Sequence, residues 1–83
     1  MEQLSVKVIC FAGLRKYFGN EVEVRLESGA AFKSVLDKLA VINPEAGEVL
    51  QTCRIAVDEK FVSPDSPLNE TNTVFLIPPS SGG

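Results

Sequence analysis

The sequence predicts an α+β fold in which one amphipathic helix covers one face of a mixed β-sheet. Three observations support this prediction. Several short segments alternate between apolar and polar residues, one segment of about a dozen residues has apolar residues at helical spacing, and the predicted order of elements is β-β-α-β-β-β. A chain of 83 residues with 45% apolar content is sufficient for one small domain with one core.

The first two predicted strands span residues 5–12 and 21–26. In the first strand one face carries Val6, Val8, Cys10 and Ala12, and the other carries Lys7, Ile9 and Phe11. The second strand alternates strictly, with Glu-Val-Glu-Val-Arg-Leu, which is typical of a strand at a sheet edge with one buried face. A helical turn at residues 14–18 and the turn pair Gly19-Asn20 connect them, so we expect a hairpin.

The main helix is predicted over residues 31–42, where the apolar residues recur at the spacing of one helix face. These residues are Phe32, Val35, Leu36, Leu39 and Ile42. Ala30 and Ala31 stand where an N-cap Ser, Thr or Asp is usual, so we expect the first turn to fray. The pair Asn43-Pro44 sets the end of the helix.

Three further strands are predicted after a loop with a helical turn at residues 45–51. They span residues 53–57, 60–62 and 73–77. The first two are joined by the turn Asp58-Glu59 and form a second hairpin. In the loop before the last strand, Leu68 is expected to enter the core.

Composition argues against several classes of function. Eight Lys and Arg residues oppose eleven Asp and Glu residues, for a net charge of −3, and the basic residues are scattered singly, so we expect no binding of nucleic acid. Near the start there is no basic segment of the kind that precedes a signal peptide, and Lys7 interrupts the apolar run. We therefore expect a cytoplasmic protein that does not enter a membrane.

Residues that commonly carry catalysis are scarce. The absence of histidine excludes Ser-His and Cys-His nucleophilic pairs and histidine metal sites. Cys10 and Cys53 are too few for a zinc or iron–sulfur centre built from this chain alone, so we expect no metal and two reduced, buried or half-buried thiols.

The last predicted strand carries no charge on either face. If Val74 and Leu76 pack against the helix, Phe75 and Ile77 point away from it. Ile9 and Phe11 of the first strand are expected on the same side, together with Phe61 of the fourth. Such a contiguous apolar surface favours a partner-binding role, because monomers rarely leave one bare. The alternative is that loop 43–53 covers it.

The chain ends in a segment that resembles a reactive group on a stalk, Pro78-Pro79-Ser80-Ser81-Gly82-Gly83. Glycine has no Cβ, so a Gly-Gly end passes through a slot too narrow for other residues, and the terminal carboxylate is the chemistry presented. From Pro78 the tail reaches roughly 20 Å when extended. We therefore divide the chain into a domain at residues 1–77 and a flexible tail at residues 78–83, although an inert polar terminus remains the alternative.

Two segments carry a resemblance to a known family: Lys-Val-Ile-Cys-Phe-Ala-Gly-Leu-Arg at residues 7–15 and Val-Phe-Leu-Ile-Pro-Pro-Ser-Ser-Gly-Gly at residues 74–83. The chain resembles the MoaD/ThiS family of ubiquitin-like sulfur carriers over essentially its whole length, and within it the small subunits of molybdopterin synthase. The resemblance implies a ubiquitin-like β-grasp, a mixed sheet of about five strands in which the first and last strands are parallel neighbours at the centre.

The resemblance also implies a chemistry at the chain end. Gly83 would be adenylated by a ubiquitin-activating-type adenylyltransferase that uses ATP, giving a transient AMP adduct, and then thiocarboxylated with sulfur from a persulfide donor. The tail, with Gly82 as the slender approach and Pro78-Pro79 as the stiff exit, would enter the large catalytic subunit and donate sulfur to a cyclic pyranopterin. The chain would then be a sulfurtransferase subunit with no catalytic side chains and no permanently bound cofactor.

Partner contacts implied by the resemblance fall on Phe11, Phe61 and Ile77, beside Phe75 from the strand pattern. The expected assembly is a heterotetramer of two small and two large subunits. Arg15 matches a recurrent family arginine, which either pairs with a partner or stabilises local structure. The alternatives are a carrier for thiamine or another thiolation pathway, and a non-catalytic ubiquitin-like interaction module.

Overall fold

Five strands form the sheet: β1 (Gln3–Cys10), β2 (Glu21–Glu27), β3 (Arg54–Val57), β4 (Lys60–Val62) and β5 (Thr73–Ile77). In the computed structural model, which describes residues 3–69 and 71–79, their order across the sheet is β2-β1-β5-β3-β4. β1 is parallel to β5, and the other pairs are antiparallel. The first and last strands are therefore neighbours at the centre, as a β-grasp requires, and β2 lies at an edge as predicted.

Three helices accompany the sheet: α1 (Arg15–Phe18), α2 (Lys33–Ile42) and α3 (Gly47–Thr52). Two 3₁₀ turns precede α1 and α3, at Ala12–Leu14 and Pro44–Ala46. The prediction of one helical turn between the first two strands is confirmed by α1. The helical turn predicted after the main helix is a longer helical stretch, because a 3₁₀ turn leads directly into α3. At the start of that 3₁₀ turn, Asn43 Oδ1 accepts a hydrogen bond from the Glu45 N–H at 3.1 Å.

The first strand is shifted by two residues from its predicted bounds. It begins at Gln3 because β2 extends far enough to pair Gln3 with Glu27. It ends at Cys10 because Ala12 adopts a φ of 52° and starts a 3₁₀ turn. The prediction that Ala12 shares the buried face is therefore wrong, and its side chain is exposed.

The core lies between the sheet and α2. The sheet contributes Val6, Val8, Cys10, Val24, Leu26, Ile55, Val74 and Leu76, all 4% exposed or less. The helix contributes Val35 and Leu39, and Phe32 at its N-cap position adds a third buried side chain. Leu14, Ala46, Leu50 and Leu68 close its margins, so the prediction that Leu68 enters the core is confirmed.

The start of α2 is held by hydrogen bonds from another segment. No side chain caps it, as expected, but the N–H of Phe32 donates to the Ser66 carbonyl at 2.9 Å and the N–H of Lys33 to the Pro64 carbonyl at 2.9 Å. Lys33 Nζ also lies 3.5 Å from Asp65 Oδ1. The loop before β5 thus satisfies free donors of the first turn, which opposes the expected fraying, and the helix begins at Lys33, two residues later than predicted.

The end of α2 differs from the predicted apolar face. Ile42 was expected to face the core, but it is 54% exposed, and its neighbour Val41 is 77% exposed. The last fully buried helix residue is Leu39, so the contact with the sheet ends one turn before the helix does. Within the described part of the chain, no helix has the length and apolar content needed to cross a membrane.

The hairpin of β3 and β4 has a two-residue turn in which neither residue is glycine. Asp58 and Glu59 connect the strands as predicted, and both have positive φ values, 53° and 69°. Two-residue hairpin turns require this geometry because it matches the twist of the strands. The turn sets the pairing of Ala56 with Phe61.

We predict that Leu39→Ala lowers the free energy of unfolding by about 2–5 kcal/mol, because it leaves a cavity where a leucine is fully buried. Urea unfolding followed by circular dichroism measures the change. Val41→Ala, two residues further along the same helix, serves as the control and should change stability by less than about 0.5 kcal/mol. Equal effects of the two substitutions would contradict the assignment of this helix face.

Candidate functional site

The sheet has one covered face and one open face. Residues 44–52 pack with α2, since Ala46 and Leu50 belong to the core cluster, so they do not cover the opposite face. The alternative in which loop 43–53 hides the apolar surface is therefore wrong. Five residues on the open face, here called the apolar patch, carry the site: Ile9, Phe11, Phe61, Phe75 and Ile77.

Strand register brings the patch residues of different strands side by side. Ile9 of β1 pairs with Phe75 of β5, and Phe75 also pairs with Ala56 of β3. Ala56 in turn pairs with Phe61 of β4. Paired residues of a sheet point to the same side, so this row crosses four strands on the open face. Ala56, between two phenylalanines, is only 7% exposed although it is not part of the core cluster.

Phe11 joins the patch from outside the strand that was predicted to contain it. Its backbone stays extended, with φ −118° and ψ 156°, so the alternation of sides continues one residue beyond β1. Its ring stacks on Phe75, with the ring centroids 6.0 Å apart and an interplanar angle of 19°. Offset stacking of this kind stabilises an aromatic pair beyond the area that it buries.

Phe61 is the most exposed member of the patch, with 60% of its surface accessible. Arg54 of β3 lies over its ring, with the guanidinium carbon 5.4 Å from the ring centroid. Arg54 pairs with Ile77, so it occupies the margin of the patch beside the end of β5. The sequence analysis did not single out this arginine, although its position two residues before Ala56 places it on the same face.

Arg15 makes a local contact. Its Nε donates to the carbonyl of Cys10 at 3.3 Å, across the turn that follows β1. This hydrogen bond supports the role in stabilising local structure, which was one of the two roles expected for Arg15. A contact with a partner stays a prediction.

The end of the chain leaves the sheet beside the patch. β5 ends at Ile77, Pro78 is buried and Pro79 is exposed. The division into a domain at residues 1–77 and a tail at residues 78–83 stays a prediction. Gly83, predicted to carry the chemistry, and Gly82, predicted to be the slender approach, lie outside the described residues, and their roles stay predictions.

The two cysteines are free thiols, as predicted, with Cys10 buried and Cys53 half-buried. Burial raises the pKa of Cys10, and the nearby Arg15 partly offsets this shift. Burial, with a smaller contribution from Cys10, raises the pKa of Cys53 to about 11. Both thiols are therefore protonated at neutral pH, which makes them poor nucleophiles. Residues 3–69 and 71–79 contain no group of three or more Cys, Asp or Glu side chains placed to hold a metal.

Two clefts lie around the margins of the sheet, and one of them reaches the apolar patch at Phe75. A cleft of about 560 Å³ lies at the other end of β5, lined by Val57, Asp58, Thr71, Asn72, Thr73 and Phe75. A second cleft of about 470 Å³ separates β2 from α2. The predicted site is thus a surface for docking, with the end of β5 at its border.

Comparisons with known proteins agree with this architecture. The profile of the ThiS family matches residues 8–83. A protein of Dictyostelium discoideum named molybdopterin synthase sulfur carrier subunit is 27% identical over 82 residues, covering 93% of this chain and 94% of its own length. A protein of the same name from Arabidopsis thaliana is 27% identical over 81 residues, covering 96% of this chain and 84% of its own.

Solved structures show the same fold. The putative molybdopterin converting factor, subunit 1, of Pyrococcus furiosus superposes with a TM-score of 0.78 at 27% identity, covering 92% of this chain and 98% of that one. The small archaeal modifier protein 1 of Methanosarcina acetivorans has a TM-score of 0.78 at 22% identity over the whole of both chains. The second likeness concerns the fold alone.

We predict that iodoacetamide alkylates Cys53 slowly at pH 8, since a pKa of about 11 leaves roughly one thiol in a thousand ionised. Mass spectrometry of the native and urea-unfolded protein measures the rates, and unfolding should accelerate the reaction at least about tenfold. Because the folded pKa is raised, this group stabilises the fold below about pH 9, and the contribution is lost as the pH rises towards 11. Equal native and unfolded rates would contradict the burial of this thiol.

Proposed function

This chain belongs to the ThiS family, and on that premise we propose that it is the sulfur carrier subunit of a molybdopterin synthase. The two named relatives support this choice of pathway. One observation carries the proposal. Phe75 and Ile77 of the patch lie on β5, the central strand from which the chain end leaves, so a protein that docks on the patch also receives the tail.

The reactive group of the proposal is the carboxyl of Gly83. A free C-terminal carboxylate has a pKa near 3.5, is ionised at neutral pH and is a poor acyl electrophile. An adenylyltransferase of the ubiquitin-activating type would join it to AMP from ATP, with release of pyrophosphate. The terminal sulfur of a persulfide donor would then displace AMP, and a thiol would reduce the resulting acyl disulfide to leave a thiocarboxylate on Gly83.

The large subunit of the synthase is the proposed partner, in a heterotetramer of two small and two large subunits. Its active site would take up the tail and supply the catalytic side chains for sulfur transfer to a cyclic pyranopterin. This division of labour suits a chain that has no histidine and whose two thiols are protonated at neutral pH. The chain itself holds no resident cofactor in this proposal.

A second candidate stays within the same chemistry. Membership of the ThiS family alone does not select the pathway, so a carrier for another thiolation pathway, such as thiamine synthesis, or a protein modifier is the alternative. Pull-down with a molybdopterin synthase large subunit and with a thiazole synthase separates the two. Capture of thiazole synthase alone would overturn our first choice.

We predict that intact protein from a host with the activating enzymes contains a fraction about 16 Da heavier, because sulfur replaces one oxygen of the terminal carboxylate. Mass spectrometry of the intact chain detects this fraction. Deletion of Gly83 should abolish it, and Val41→Ala, far from the tail in sequence, should retain it. A heavier fraction that persists after the deletion would contradict the assignment of the chemistry to Gly83.

We predict that Phe75→Ala weakens binding of the large subunit at least about 30-fold, because it removes the ring at the centre of the patch. Titration calorimetry measures the affinity, and circular dichroism checks that the fold is retained. Ile42→Ala removes an exposed apolar side chain from α2, on the other layer, and should leave the affinity within about twofold. A larger loss from Ile42→Ala than from Phe75→Ala would place the partner on the helix side.

A further inference from the structure

The margin of the apolar patch at β3 and β4 combines an exposed ring with a positive charge. Phe61 is 60% exposed, and the guanidinium carbon of Arg54 lies 5.4 Å from its ring centroid. Both side chains lie on the open face, because Arg54 is two residues from Ala56 on β3 and Ala56 pairs with Phe61. The pair therefore borders the surface that the proposed partner would cover.

The charges on this face are distributed unequally. On the β2 side, Glu21 lies 3.9 Å from Lys7 Nζ, and Glu23 accepts a hydrogen bond from the hydroxyl of Ser5. On the β3 side, no carboxylate among residues 3–69 and 71–79 lies within 4 Å of the Arg54 guanidinium. A cation at the border of an apolar contact thus has its hydrogen-bonding capacity available.

The position of the guanidinium over the Phe61 ring prepares it for a carboxylate. Arginine has five N–H donors in a planar fork that matches the two oxygens of a carboxylate. An aromatic ring next to the guanidinium is attracted to its charge and restricts the rotamers of the long side chain, so less conformational entropy is lost on binding. Desolvation of the surrounding patch by a partner would strengthen the ion pair.

We propose that Arg54, together with the already predicted partner contact Phe61, determines specificity for the large subunit: the Arg54 guanidinium binds a carboxylate at the rim of the apolar contact that Phe61 makes. This inference rests on the proposed function. It commits to a partner surface that is apolar at its centre and acidic on the side that meets β3 and β4. Arg54 also pairs with Ile77, so the same contact would fix the orientation of the partner next to the departing tail.

The test compares two arginines on the same face of the sheet. Arg54→Met removes the charge and keeps a long unbranched side chain, and Arg25→Met makes the same change on β2, at the opposite edge. Titration calorimetry with the cognate large subunit at several salt concentrations gives the affinity of each full-length variant. We expect Arg54→Met to weaken binding about 5- to 20-fold and to reduce its salt dependence, while Arg25→Met stays within about twofold of the parent.

Two further variants test whether the pair acts as a unit. Arg54→Lys keeps the charge without the fork and should recover only part of the affinity. Combining Arg54→Met with Phe61→Leu should weaken binding by less than the product of the two single effects, because the side chains support each other. Thermal unfolding of each variant checks the fold, which these exposed positions should not affect.

The outcomes separate this inference from the function on which it rests. If the parent binds the large subunit and Arg54→Met matches it in affinity and salt dependence, the specificity pair is overturned and the carrier function stands. If the parent does not bind the large subunit at all, both are overturned. An affinity gain for Arg54→Met would show that the partner is basic there and would also overturn the inference.

Discussion

The parallel pairing of β1 with β5 is the interaction on which the rest of this structure depends. It connects the first strand of the chain to the last, and it places the last strand between β1 and β3. Parallel neighbours need a long crossover, which here consists of α1, β2, α2, α3, β3 and β4. The last strand thus has a hydrogen-bonded neighbour on each side. These neighbours fix the point at which the chain leaves the sheet.

One helix layer covers only one side of the sheet, so the two faces of the central strand have different surroundings. Both faces carry apolar residues. Val74 and Leu76 are buried against the core, whereas Phe75 and Ile77 remain half-buried on the open side. The first pair stabilises the domain, and the second pair is available for another protein. A single strand of five residues therefore connects folding to the proposed function.

Local pattern was sufficient where a segment's own residues decide its structure. The alternation of β2, the helical spacing in α2 and the turn before β4 could all be predicted because each is set by near neighbours in sequence. The start of α2 could not, since its donors are satisfied by carbonyls about thirty residues further along, at Pro64 and Ser66. Neither could the exposure of Ile42, because spacing identifies a helix face but does not show where the sheet beneath it ends.

The site divides in the same way. The patch residues Phe75 and Ile77 follow from alternation within one strand, and Phe11 follows because the chain stays extended one residue beyond β1. The placement of Arg54 over the Phe61 ring depends on the register of two strands and on side-chain direction, which a single segment does not reveal. An arginine in a strand has no distinguishing pattern of its own, so its role appears only with the tertiary structure.

The two prolines after Ile77 have a consequence for how the chain end can be released. Proline has no backbone N–H, so Pro78 and Pro79 donate nothing to a neighbouring strand and the ladder of β5 cannot continue through them. Binding of another protein at these two positions therefore does not require a backbone N–H to break a hydrogen bond with the sheet. The ladder of β5 therefore ends at Ile77, and engagement of Pro78 and Pro79 by another protein breaks no hydrogen bond donated from these two positions.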